Sequence, residues 1–309
     1  MMIKKFIKLN IFVFVLLSCT NLFSQQDMQI TQYMFNPISI NPAYAGSREA
    51  ISILGLYRSQ WAGLNGGPIT QVFSIHSPMK NESVGLGFSF INEKIGFENF
   101  SKAHVDYSYT INIGYKTKLA FGLKASVTSY SLDQELRNAE PNDLVIQNIN
   151  HSWNPNIGTG LFLHSNKGYI GLSAPRILNV DYDQTEEFSV LERNSYFLTA
   201  GLLFDINNNL KLKPSFLVRQ TNGAPISYDL SAHFLFNENL WLGTSYRFNE
   251  STRANVAAMV NFQISKQLTV GYAYEASLSN LGAYGNNTHE IILMFEIFKN
   301  KRIISPRYF

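Results

Sequence analysis

Charge is scarce in this sequence: Asp, Glu, Lys and Arg make up 15% of its 309 residues, against roughly 25% in ordinary soluble domains. That counts against a cytosolic enzyme. Cysteine is nearly absent. The single one, Cys19, lies in the first 24 residues, so the remainder has neither a disulfide framework nor a thiol nucleophile. Beyond residue 24 no apolar run is long enough for a transmembrane helix, and mean hydropathy is only -0.07. The six histidines (His76, His104, His151, His164, His233 and His289) show no metal-ligand spacing such as His-x-x-x-His. The glycines alternate within apolar stretches instead of clustering before a helix, which excludes a nucleotide loop. The acidic run Glu140-Pro141-Asn142-Asp143 lacks the periodic ligands of a calcium loop and reads as a solvated loop. No cofactor, metal or catalytic constellation is expected.

What is present is apolar and aromatic: 45% and 14% of residues, with 23 Phe, 16 Tyr and 3 Trp. Disorder is excluded by that much buriable area. Residues 1–24 form a separate unit, with Lys4, Lys5 and Lys8 preceding the apolar core Ile11 to Leu17 and a small residue, Ser24, before Gln25. This is the layout of a secretory signal peptide. Leu16-Leu17-Ser18-Cys19 loosely resembles a lipobox, which leaves lipidation at Cys19 open beside cleavage after Ser24. The three leader lysines equal the whole formal net charge of +3. The exported chain is therefore near neutral and gives no reason to expect a nucleic-acid partner.

The dominant signal is alternation with period two in segments of about ten residues. Val84, Leu86, Phe88 and Phe90 alternate with Gly85, Gly87 and Ser89; Ala103, Val105, Tyr107, Tyr109 and Ile111 alternate with Lys102, His104, Asp106, Ser108 and Thr110. Strand side chains point alternately to opposite faces, so each segment has one apolar and one polar face. Fourteen segments are expected, beginning near 50, 69, 82, 101, 117, 154, 167, 194, 209, 226, 239, 253, 267 and 288. Connections after even-numbered segments are short. After odd-numbered ones most are long: Arg58 to Pro68, Asn92 to Phe100, Ser131 to Trp153, Arg176 to Arg193 and Ser277 to Asn287, with two modest ones near Thr221 to Pro225 and Asn249 to Ser251.

An even strand count, short turns at one rim and long loops at the other predict an all-β fold, a transmembrane outer-membrane β-barrel of about 14 antiparallel strands over residues 50–299. A soluble β-sandwich also alternates, but carries more surface charge around a core ~10 Å thick. Tyr107, Tyr109, Tyr246, Phe248, Tyr272 and Tyr274 fall near segment ends, where interfacial aromatic girdles belong. The polar face reads as glycine- and serine-rich rather than charged, unlike the opposed rings of Arg and acids usual in porins. His104 and Asp106 share it and can meet in the lumen.

Residues 25–49 precede the first strand and contain two Asn-Pro steps, Asn36-Pro37 and Asn41-Pro42, which forbid a continuous helix or central strand. Tyr33, Phe35, Tyr44 and Gly46 complete the candidate motif. The segment is read as a compact linker at the periplasmic rim or inside the lumen, or as a plug or docking element. In the first long loop, Tyr57, Arg58, Gln60 and Trp61 bring together residue types enriched at binding hot spots, or else an interfacial Trp and an Arg bracing the loop. After the last strand, residues 300–309 form a tail ending in Phe309; either Phe295 and Phe298 mark the terminal strand for assembly, or the tail folds back.

These motifs resemble the PorP/SprF family, outer-membrane proteins of the Bacteroidetes type IX secretion and gliding-motility apparatus. The resemblance rests on Gln32-Tyr-Met-Phe-Asn-Pro and Asn41-Pro-Ala-Tyr-Ala-Gly46, on Tyr57-Arg-x-Gln-Trp61, on Pro68-x-Thr70 and on Ser305-Pro-Arg-Tyr-Phe309. It implies a non-enzymatic barrel that works with a secreted surface adhesin or with a periplasmic component such as a peptidoglycan-binding lipoprotein. A passive channel for small solutes is the alternative.

Overall fold

The computed structural model describes residues 29–139, 152–181, 191–249, 254–278 and 287–298, together with Tyr308. The leader with Cys19, residues 25–28, the run Glu140–Asp143, His151 and the rest of the tail lie outside these.

Fourteen antiparallel strands form the wall: β1 Ala50–Ser59, β2 Ile69–Pro78, β3 Val84–Ile95, β4 Glu98–Asn112, β5 Thr117–Leu132, β6 Ser152–Ser165, β7 Gly168–Ala174, β8 Ser195–Leu202, β9 Leu210–Thr221, β10 Ser227–Phe236, β11 Leu240–Asn249, β12 Ala254–Gln263, β13 Leu268–Ser277 and β14 Thr288–Phe298. Each pairs with the next, and β14 returns to β1 over ten residue pairs, from Ala50 opposite Phe298 to Ser59 opposite His289. The sheet is thus a closed barrel. Closure is what a membrane demands, because hydrocarbon offers an open sheet edge no hydrogen-bond partner. Strand β8 breaks at Leu203 and resumes as Phe204–Asn207, still paired to β9. No described helix is long and apolar enough to cross a membrane.

The alternation sorts the side chains as expected. Leu86, Phe88 and Phe90 of β3 and Val105, Tyr107 and Tyr109 of β4 are exposed on the exterior, whereas Ser89, Lys102, His104, Asp106 and Ser108 are buried within. Tyr107 and Tyr109 lie toward the short-turn end of β4; Tyr246 and Tyr274 lie toward the long-loop ends of β11 and β13, and all four are exposed. Aromatics therefore stand near both rims of the apolar band.

Two expectations need correction. The stretch Asn92 to Phe100 is not a long loop: β3 and β4 pair up to Ile95 opposite Glu98, and only Gly96 and Phe97 join them. Gly96 has φ 58°, the positive φ that the first central position of a mirror-image hairpin turn requires. The alternation of Asn92, Lys94 and Glu98 is polar enough to mimic a loop, yet these residues stay in the ladder, Lys94 opposite Ile69 of β2 and Glu98 opposite Leu132 of β5. Nor is the inner face weakly charged. Charge is sparse overall but concentrated there: Arg58, Lys102, Asp106, Lys124, Lys213, Asp229, Arg247, Glu275, Glu290 and Glu296 are all at most 8% exposed. The polar parity of a strand had shown which face they occupy, but not that sparse charges from eight strands converge.

Candidate functional site

The lumen is not empty. Residues 29–49 run along it as three single 3-10 turns, Tyr33–Phe35, Pro37–Ser39 and Pro42–Tyr44. Each Asn-Pro step starts a turn: proline takes the first position, where its missing N–H costs nothing. Asn41 caps the third turn, its Oδ1 accepting from Ala43 N at 2.9 Å, and its Nδ2 donates to Leu161 O of β6 at 3.0 Å. Asn36 Oδ1 accepts from Ser74 of β2 at 3.0 Å. With so many backbone groups left over by short turns, the wall must satisfy them. Ser108 donates to Ala45 O at 2.6 Å, Ser173 to Ile40 O at 2.8 Å, and the backbone N of Gly46 donates to His76 at 3.2 Å.

Apolar contacts complete the seating. Phe35 packs edge-on to His233 and Trp241, with ring centroids 6.1 and 6.4 Å away, and Tyr44 lies between His76 and Phe162 at 5.4 and 5.3 Å. Ile38, Ala43 and Tyr44 are at most 1% exposed. Tyr33 meets Ser231 at 3.3 Å.

The glycines of the polar face have a role that composition alone left blank. A Cβ on Gly122 would lie 2.1 Å from Ala43 N, and one on Gly85 2.1 Å from Ala45 O. On Gly160 it would lie 2.2 Å from Asn41 Oδ1. Strands β3, β5 and β6 thus lack side chains where the inner segment presses its backbone against them. Gly46 completes this contact at φ 74°, its own Cβ position 2.8 Å from Gly85 Cα.

At the other end an ionic cluster holds Ile30–Gln32. Glu290 of β14 accepts the backbone N of Thr31 at 3.0 Å and of Gln32 at 2.8 Å, and pairs with Arg58 of β1 at 3.2 Å. Glu275 of β13 accepts from the Thr31 hydroxyl at 2.5 Å and lies 3.3 Å from Arg247 of β11. Arg247 also pairs with Asp229 of β10 at 2.9 Å and donates to Ile30 O at 3.3 Å. At the opposite end Arg48 donates to Glu296 at 2.6 Å. Halfway along, Asp106 pairs with Lys124 at 2.7 Å.

The residues singled out from sequence separate accordingly. Tyr33, Phe35, Asn36, Pro37, Asn41, Pro42, Tyr44 and Gly46 all belong to the inner segment, so the lumen, not the periplasmic rim, is where it packs. Tyr57, Arg58, Gln60 and Trp61 do not form one surface. Period two sends Tyr57 outward, 43% exposed, and Arg58 inward, 2% exposed. Gln60 is half-buried and Trp61 exposed, at φ 56°. Their loop is tied sideways, with Ala62 N donating to Asn287 O at 2.9 Å and Gly96 N to Gly66 O at 2.9 Å. Asp229, Arg247, Glu275, Glu290 and Glu296 were not singled out; their inward parity was readable, their partner across the lumen was not. Of the two alternatives for the tail, Tyr308 favours folding back. Its carbonyl accepts from Lys213 Nζ, and its ring lies over Lys211 at 5.4 Å and beside Trp241 at 6.5 Å. Among the described residues no cluster of His, Cys, Asp and Glu suits a metal ion.

The family model for the type IX secretion system membrane protein PorP/SprF matches residues 22–295. Among curated proteins none matches. Similar solved structures include the outer membrane protein Omp33 of Acinetobacter baumannii, 8% identical with a TM-score of 0.49, covering 81% of this chain and 98% of that one. The CymD monoaromatic hydrocarbon channel is 10% identical with a TM-score of 0.47, covering 87% and 93%. The KdgM porin in complex with disordered oligogalacturonate is 7% identical with a TM-score of 0.41, covering 80% and 99%. At these scores the likenesses carry no functional argument, and the barrel rests on the chain's own strand pairing.

Proposed function

Because the chain belongs to the PorP/SprF family of type IX secretion system membrane proteins, we propose that it is a plugged, non-enzymatic outer-membrane scaffold. Exported by a cleaved signal peptide, it holds a secreted surface protein (an adhesin) or a periplasmic motor component, and so supports export, surface attachment or gliding. Residues 29–49 are the plug. The observation that supports this reading over the passive channel is the occupied lumen: residues 29–49 run along it, and glycines of β3, β5 and β6, wall hydroxyls and the buried Glu275 and Glu290 carboxylates are turned to that segment. Fourteen strands enclose room for water, and here that room holds protein.

Two measurements test it. In planar bilayers the purified barrel is expected to show no stable conductance; a steady open pore in the unmodified protein restores the channel reading. Extraction in mild detergent should bring a partner along, and its identity separates adhesin holding from motor linkage. Isolation as a lone barrel under conditions that preserve other outer-membrane complexes counts against the scaffold.

A further inference from the structure

We infer that the leading end of the plug faces the cell surface: the chain enters the barrel through the long-loop mouth at Gln29 and descends to its tether at Ala50. The contacts of the plug give its direction. Ile30, Thr31 and Gln32 touch Arg58, Arg247, Glu275 and Glu290, each within three residues of the long-loop end of its strand. Asn36 meets Ser74 in the middle of β2. Gly46 and Arg48 meet His76 and Glu296, both within three residues of the short-turn end.

In outer-membrane barrels the short turns are periplasmic and the long loops extracellular. From Ala50 to Arg58 the strand rises about 26 Å at ~3.3 Å per residue, or about 20 Å along the barrel axis at a tilt near 40°. Thr31 therefore sits about 20 Å above the periplasmic rim. Gln29 and Ile30 border a cavity of about 90 Å³ that Arg176, Arg219 and Asp229 also line, again near long-loop ends, and that reaches along the segment to Ser39 and Ile40. Between the two ends the segment is buried: Thr31, Gln32, Tyr33, Met34, Ile38 and Tyr44 are at most 3% exposed.

A surface ligand thus meets the tip of the plug and its ionic latch first, while a periplasmic component meets the tether. The inference depends on barrel orientation and not on which partner is held.

With Cys19 in the leader as the sole native cysteine, single-cysteine labelling in a Cys19→Ser background tests it. Gln29→Cys and the exposed loop position Asn65→Cys should react with a membrane-impermeant maleimide in intact cells. Lys80→Cys, in the β2–β3 turn, should react only once the outer membrane is permeabilised. Adding Glu290→Gln should speed Gln29→Cys labelling several-fold. If Gln29→Cys reacts only alongside Lys80→Cys, or stays protected in both states while Asn65→Cys reacts, the inference is overturned. Labelling of Lys80→Cys but not Asn65→Cys in intact cells inverts the barrel and overturns it as well.

Discussion

Replacing Gly122 by alanine adds one methyl group to the wall of β5, and the structure says what it must displace. The new Cβ would lie 2.1 Å from Ala43 N, 2.5 Å from Ala43 Cα and 2.5 Å from Pro42 C. Ordinary contact begins near 3.4 Å, so the plug backbone has to retreat by more than an ångström. No flexible side-chain tip is available to yield instead. Overpacking of a filled interior costs typically about 1–3 kcal/mol. At 1.4 kcal/mol per tenfold, the ratio of seated to unseated plug falls by about 5- to 150-fold. Gly55→Ala in β1 is the control, because nothing lies within 4 Å of its Cβ position and alanine suits a strand at least as well as glycine. The assay is paired: protease cleavage within residues 29–49 of the purified barrel, and the temperature of the folded-to-unfolded shift in gel mobility. Gly122→Ala should be cleaved faster and shift at lower temperature while still assembling as a barrel; Gly55→Ala should match the unmodified protein. Indistinguishable behaviour of the two variants would refute the close seating of the plug.

Glu290→Ala strips the acceptor from two backbone N–H groups and leaves Arg58 buried beside Glu275 alone; a cost of about 3–5 kcal/mol is expected for breaking such a buried pair, read as lowered resistance to heat in detergent. Arg58→Ala should likewise lower barrel abundance, whereas Trp61→Ala at the exposed loop should leave abundance and gel mobility unchanged; equal tolerance of both would remove the latch. The exposed pair Lys94–Asp133, 2.6 Å apart, contributes little where water screens it. Asp133→Asn should therefore not move the heat transition at neutral pH. Lys94 holds the Asp133 carboxyl below its usual range, so whatever the pair adds is present above the ordinary carboxylate pKa and fades only as pH falls through the lowered one.

Strand number, strand parity and the lipid-facing surface were readable from the chain because they rest on a local rule. A side chain two residues along a strand returns to the same face, so Leu86, Phe88 and Phe90 announce an apolar wall wherever they lie in space. The same rule placed Glu275, Glu290 and Gly122 on the inner face. It could not show that the first two close on Thr31, 244 and 259 residues away in sequence, or that the third marks where Ala43 passes. At Arg58 and Trp61 closeness in a motif misleads where the rule does not: Arg58 turns inward with its parity, and Trp61 lies in the exposed loop beyond the strand end at Ser59.

The Asn-Pro steps announced turns and excluded a helix, yet left the segment's address open. Short turns leave backbone groups unsatisfied wherever they sit, and nothing local says whether water, the rim or the lumen will satisfy them. Local alternation therefore sufficed for a barrel, its strand count and its lipid face. Whether that barrel is open or sealed depended on complementarity between distant stretches, which exists only once fourteen strands close around residues 29–49 and bring their sparse charges and bare glycines to a common interior.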